Sequence, residues 1–178
     1  MSTHKPATIA LTIGLTLLAS ASCAETPNLG KPISEADIKA WNLTIFPDGA
    51  NLPPGSGTAA EGAKVYIETG CVACHNEAGK GGPGMALAIP EAKIDRIEAR
   101  KTIGNFWAQA TTVFDVIRRA MPWSQPRTLT DDEAYKLTAY VLYLNKLIGE
   151  NDVINAETLP KVRMPYEDNF IVKFPDRI

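Results

Sequence analysis

The stretch GCVACHNEAGKGGPG, residues 70–84, holds two of the chain's three cysteines and one of its two histidines. Cys71, Cys74 and His75 form a C-x-x-C-H cluster. That spacing is shared by zinc sites, thiol redox pairs and covalent cofactor attachment. What lies on either side separates these chemistries.

Upstream, Thr58-x-x-Glu61 is a capping box, the signature of a helix start. Ala59, Ala63, Tyr66 and Ile67 recur at helical spacing and Gly70 is a natural stop. A helix of about three turns therefore delivers the chain into Cys71. Downstream come the glycine-rich loop, a charged stretch (Glu91 to Lys101) without clear periodicity, and a short helix, Thr112 to Ala120, with Val113, Phe114 and Ile117 apolar. Met121-Pro122 ends that helix, because proline disfavours helical geometry in the residue before it. Thr130-x-x-Glu133 is a second capping box, with Leu129 placed as a hydrophobic staple. The helix behind it carries the stripe Leu137, Tyr140, Val141, Leu144 and Ile148, with Gly149 as its stop.

Neither internal repeats nor an alternating strand pattern occurs, so the fold expected is all-α. Its domain spans 58–149. The extension 25–57 is rich in Pro, Gly and Asn, with one short helix at Ser34 to Trp41 (Ser34-x-x-Asp37 resembling a capping box) before PDGANLPPGSG breaks regular structure. The extension 150–178, with Pro160, Pro165 and Pro175, is expected to be extended.

Residues 1–24 read as a secretory signal peptide: Lys5, an uncharged apolar run from Ala7 to Ala19, then Ser22-Cys23-Ala24 as a small-x-small cleavage site. The run is short of the ~20 residues that span a bilayer. A periplasmic protein without a transmembrane span is expected, with lipidation at Cys23 as the minority alternative. Cleavage after Ala24 leaves Cys71, Cys74 and His75 as the sole cysteines and histidine. The net charge of −2 and the lack of any basic run argue against a nucleic-acid partner.

A structural zinc site needs four Cys or His ligands, and the mature chain offers three. A thioredoxin-like pair needs a βαβ setting that the helical pattern does not supply. A disulfide across two residues would be strained and would constrain almost no loop. Covalent haem uses every member: both thiols form thioethers, and His75 is held under the iron. One haem c is therefore expected. The sixth ligand expected of a high-potential centre is methionine. Met121, at a helix end before proline, is the first candidate, and Met164 the second. Met85 is too close in sequence to His75 to cross a haem easily. The alternative for any of them is filling a core gap.

Tyr66 ahead of C-x-x-C-H, Gly82-Pro83 after it, Met121-Pro122 and the closing LTAYVLYL resemble a class I cytochrome c domain, from about Thr58 to Gly149. The resemblance implies that the first and last helices cross at Gly62 against an aromatic residue such as Tyr140. It also implies that the Pro83 carbonyl accepts the His75 N–H, which would fix the imidazole and raise its donor strength. For Trp107 and Arg119 it implies haem-propionate contacts, against which stand a core tryptophan and a solvated arginine. The longer stretches WNLTIFPDGANLPPGSGT, KTIGNFWAQATTVFDVIRRAMPW, LTDDEAYKLTAYVLYLN and AETLPKVRMPYEDNF resemble cytochrome subunits of sulfite and sulfane dehydrogenases. In those systems a molybdenum subunit oxidises the sulfur compound and the cytochrome passes the electrons to a downstream acceptor. One-electron transfer, with no catalysis by the chain itself, is the function this implies. The extensions are expected to wrap the domain or dock the dehydrogenase. The alternatives are a haem-based redox or ligand sensor with a labile Met121, and a thiol–disulfide oxidoreductase.

Overall fold

The computed structural model describes residues 29–90, 93, 95–96 and 98–171. The expected signal peptide, Cys23 and Pro175 lie outside them. The chain divides into two compact units, Met1–Asn42 and Leu43–Ile178.

Within the first unit, α1 (Glu35–Trp41) starts at a complete capping box. Asp37 N–H donates to Ser34 Oγ at 3.2 Å, and Ser34 N–H donates to Asp37 Oδ2 at 2.9 Å.

The second unit is helical around one crossing. α2 (Ala59–Glu68) follows a capping box formed by Thr58 and Glu61, and α6 (Asp131–Leu144) follows one formed by Thr130 and Glu133. The two helices touch at Gly62. A Cβ there would collide with the Lys136 carbonyl oxygen and lie 2.8 Å from Tyr140 Cβ. Beside the contact the Tyr66 and Tyr140 rings are 5.2 Å apart and tilted by 59°. α3 (Cys71–His75) follows α2 directly, because Gly70 takes the left-handed conformation (φ 78°) that ends one helix and begins the next.

Two further helices precede α6. α4 (Ile103–Phe106) is an element without a periodic signal in the sequence, and α5 (Ala110–Ala120) begins two residues earlier than its apolar pattern indicates. Phe114 of α5 meets Tyr135 of α6 at a ring separation of 4.4 Å, inside a core that also takes Leu142, Ile154, Leu159 and Met164. α6 stops at Leu144, short of Gly149. Asn145 caps it, and its Nδ2 donates to the carbonyls of Val141 at 2.8 Å and Leu87 at 3.1 Å.

The compact unit is wider than 58–149. β1 (Ser56–Gly57) pairs antiparallel with β2 (Ile154–Asn155), so both flanking segments join the same core. Tyr135 Oη donates to the Pro53 carbonyl at 2.9 Å. Met164, expected in an extended tail, is buried. Among the described residues no helix is long and apolar enough to cross a membrane.

Burial pushes the Tyr135 phenol up from 10 to about 12, with the nearby Asp131 charge adding to the shift. The folded state therefore holds its proton more tightly than the unfolded chain does. The resulting stability is fully present below pH ~10 and is lost as pH rises towards ~12. Tyr135→Phe should flatten the loss of stability over that window in urea titrations. An unchanged slope would remove Tyr135 from alkaline unfolding.

Candidate functional site

α3 turns the C-x-x-C-H cluster into a single helical turn, and the loop behind it folds back on that turn. Gly84 N–H donates to the Cys74 carbonyl at 2.8 Å and Gly81 N–H to the His75 carbonyl at 2.9 Å. Asn76 Nδ2 donates to the Gly81 carbonyl at 2.6 Å, and Tyr66 Oη donates to the Asn76 carbonyl at 2.8 Å. Tyr66 thus ties α2 to the loop. Burial is the main cause that raises its phenol to about 12, which keeps this donor protonated.

His75 Nδ1 lies 2.8 Å from the carbonyl oxygen of Met85. A carbonyl only accepts, so Nδ1 carries the proton and the neutral ring keeps its Nε2 lone pair for a ligand. This corrects the role expected of Pro83. The loop bonds bring Gly84 against the imidazole, where a Cβ would sit 3.0 Å from Cε1. The carbonyl that meets Nδ1 is consequently that of the next residue, Met85. Pro83 stands in the cavity wall instead.

That cavity measures about 620 Å³. Cys71, Cys74, His75, Pro83 and Met85 line it from α3 and its loop. Val113, Val116, Ile117, Met121 and Trp123 line it from α5 and the following turn, and Leu137 and Val141 from α6. Among the described residues no Lys, Arg, Asp or Glu lines it.

Both cysteines are free; Cys71 is half-buried and Cys74 exposed. Burial pushes the Cys71 thiol up, against a contact with Thr69 Oγ1 at 3.4 Å that opposes the shift. Among the described residues no three His, Cys, Asp or Glu side chains gather as a metal-binding group, so the zinc alternative finds no ligand set.

The remaining candidates separate. Met121 faces the cavity, whereas Met164 is enclosed in the core with Phe114 and Leu159. Met85 also lines the cavity rather than filling a core gap, but its backbone stands behind the imidazole. Trp107 lines the cavity; Arg119 does not, and pairs with Asp115 one turn earlier on α5. The Met85 carbonyl has no signal in the sequence, since any residue type carries one. The glycine spacing of the loop is the only pointer to it.

An apolar void of this size suits one large planar group, and the donor set around it is two thiols, an imidazole and the thioethers of Met85 and Met121. The cytochrome c family profile matches residues 59–145. A chain in the crystal structure of the sulfane dehydrogenase SoxCD from Paracoccus pantotrophus is 31% identical, with a TM-score of 0.76. That match covers 85% of this chain and 75% of the other.

The protein belongs to the cytochrome c family.

No curated protein sequence gives a match. This cytochrome has the class I fold and carries covalently attached haem c, for which Cys71 and Cys74 have the attachment spacing. It is a haem electron-transfer protein similar to the cytochrome of a sulfur dehydrogenase.

Proposed function

We propose that this is a periplasmic monohaem cytochrome that takes electrons singly from a molybdenum-containing sulfite or sulfane dehydrogenase subunit and passes them to a downstream acceptor. The observation that carries the reading is the convergence of His75 and Met121 on one uncharged cavity beside Cys71 and Cys74. Bound haem c supplies the one-electron couple. In this reading Cys71 and Cys74 would anchor it, His75 Nε2 and the Met121 thioether would be its iron donors, and Pro83 shapes the wall near His75. The Met85 carbonyl fixes the imidazole plane and raises its donor strength. With His75 and Met121 both holding the iron, substrate would find no open site there, and the chain by itself would transfer electrons without catalysing sulfur oxidation.

The sulfur partner is supported by the likeness to SoxCD, and export by the leader-like residues 1–24. The test mixes holoprotein with the purified molybdenum subunit from the same organism and follows the haem absorption after adding sulfite or a sulfane-sulfur substrate. Substrate-dependent reduction within seconds is expected; an oxidised spectrum with both substrates sinks the partner. Fractionation of the full chain in a Gram-negative host is expected to place it, shortened, in the periplasm. Retention in the cytoplasm would overturn export.

A further inference from the structure

Among the described residues none before Leu43 lines the haem cavity, yet residues 29–41 carry four large exposed apolar side chains: Leu29 (86%), Ile33 (71%), Ile38 (48%) and Trp41 (87%). Single exposed apolar residues are ordinary on a soluble protein. These are ordered relative to one another. Ser34 is the N-cap of α1, so Ile33 and Ile38 occupy the two hydrophobic-staple positions. Ile38 and Trp41 are three residues apart and share a helix face. Lys39 lies away from that stripe, while Glu35, three residues before Ile38, and Asp37, four before Trp41, border it. A helix of this length is marginal in water even with a capping box, so lasting order requires its apolar face to be covered.

The likeness to SoxCD indicates what covers it. The likeness covers 85% of the chain, so it reaches well beyond the haem domain into its flanking segments. The family profile stops at 59–145. The flanks of the haem domain are therefore largely shared with a chain from a dehydrogenase assembly, and the arm lies in them, outside the part that defines a haem carrier. We propose that residues 29–41 form a docking arm whose Ile33–Ile38–Trp41 face is buried against the molybdenum-containing dehydrogenase subunit; this rests on the partner proposed above. Tryptophan suits the task, because it dominates binding where it is fully desolvated at the centre of an interface.

The experiment compares full-length holoprotein with the Ile38→Ala/Trp41→Ala double variant. Both are titrated calorimetrically against the purified molybdenum subunit, and haem reduction by sulfite is followed at saturating subunit. The double variant should raise Kd roughly 30-fold or more. Its haem spectrum, its melting temperature alone and its reduction rate at saturation should match those of the wild type. Equal Kd values, with wild-type reduction intact, would overturn the arm and leave the function standing. A lowered melting temperature of the isolated variant would also overturn it, because the arm would then be covered by its own chain. If wild-type holoprotein neither binds nor is reduced, the partner reading fails and the arm's assigned occupant fails with it.

Discussion

Gly62→Ala should lower the melting temperature of the holoprotein by roughly 3–8 °C, the equivalent of about 1–2 kcal/mol net of the propensity gain. The sign is the informative part. In an exposed helix interior, replacing glycine by alanine stabilises by about 1 kcal/mol through propensity alone. Here the added methyl meets the Lys136 carbonyl oxygen, its carbonyl carbon at 2.7 Å and Tyr140 Cβ at 2.8 Å. Two of these are backbone atoms in the middle of α6, which cannot turn aside as a side-chain tip does. α2 and α6 must move apart, and the Tyr66–Tyr140 contact and the Tyr66 bond to Asn76 move with them. Overpacking of a tight contact costs about 1–3 kcal/mol, occasionally more, and that outweighs the propensity gain. Thermal denaturation followed at the haem absorption band checks it. A variant as stable as the wild type would show that the helices do not approach this closely.

The helix crossing is legible in the sequence because capping boxes, an apolar stripe and a small residue are local signals. Thr58, Thr130 and Gly62 announce themselves by residue type. The parts that are not legible depend on partners distant in sequence. α6 stops at Leu144 because Asn145 bonds the Leu87 carbonyl, more than fifty positions away. Met164 is in the core because β2 pairs with β1 and draws the tail across the domain; its prolines alone suggest an extended strand of chain. The site shows the same division. The side chains lining it are readable from C-x-x-C-H and Met-Pro, whereas the carbonyl that orients His75 belongs to Met85 and not to Pro83. Backbone groups carry no residue-type signature, and only the folded path of Gly81 to Gly84 decides which of them faces Nδ1.

Met121→Ala should abolish the weak far-red absorption band of a methionine-ligated ferric haem and let the ferrous protein bind carbon monoxide, which the wild type should refuse. The reduction potential should fall as well, because a thioether donor favours the reduced iron. Neither of the other two described methionines stands ready to replace it. Met164 is enclosed by Phe114 and Leu159 in the core. Met85 gives its carbonyl to His75 Nδ1, which holds its backbone behind the imidazole and away from Nε2. Met121 follows the last residue of α5 and lines the same cavity as His75, and its neighbours Val116 and Ile117 offer no donor atom. Met85→Leu and Met164→Leu serve as the controls, and both should keep the band. If Met121→Ala kept the band and Met85→Leu lost it, the axial assignment would pass to Met85. If the wild type itself bound carbon monoxide, the sixth position would be open, and a ligand-sensing role would displace simple electron carriage.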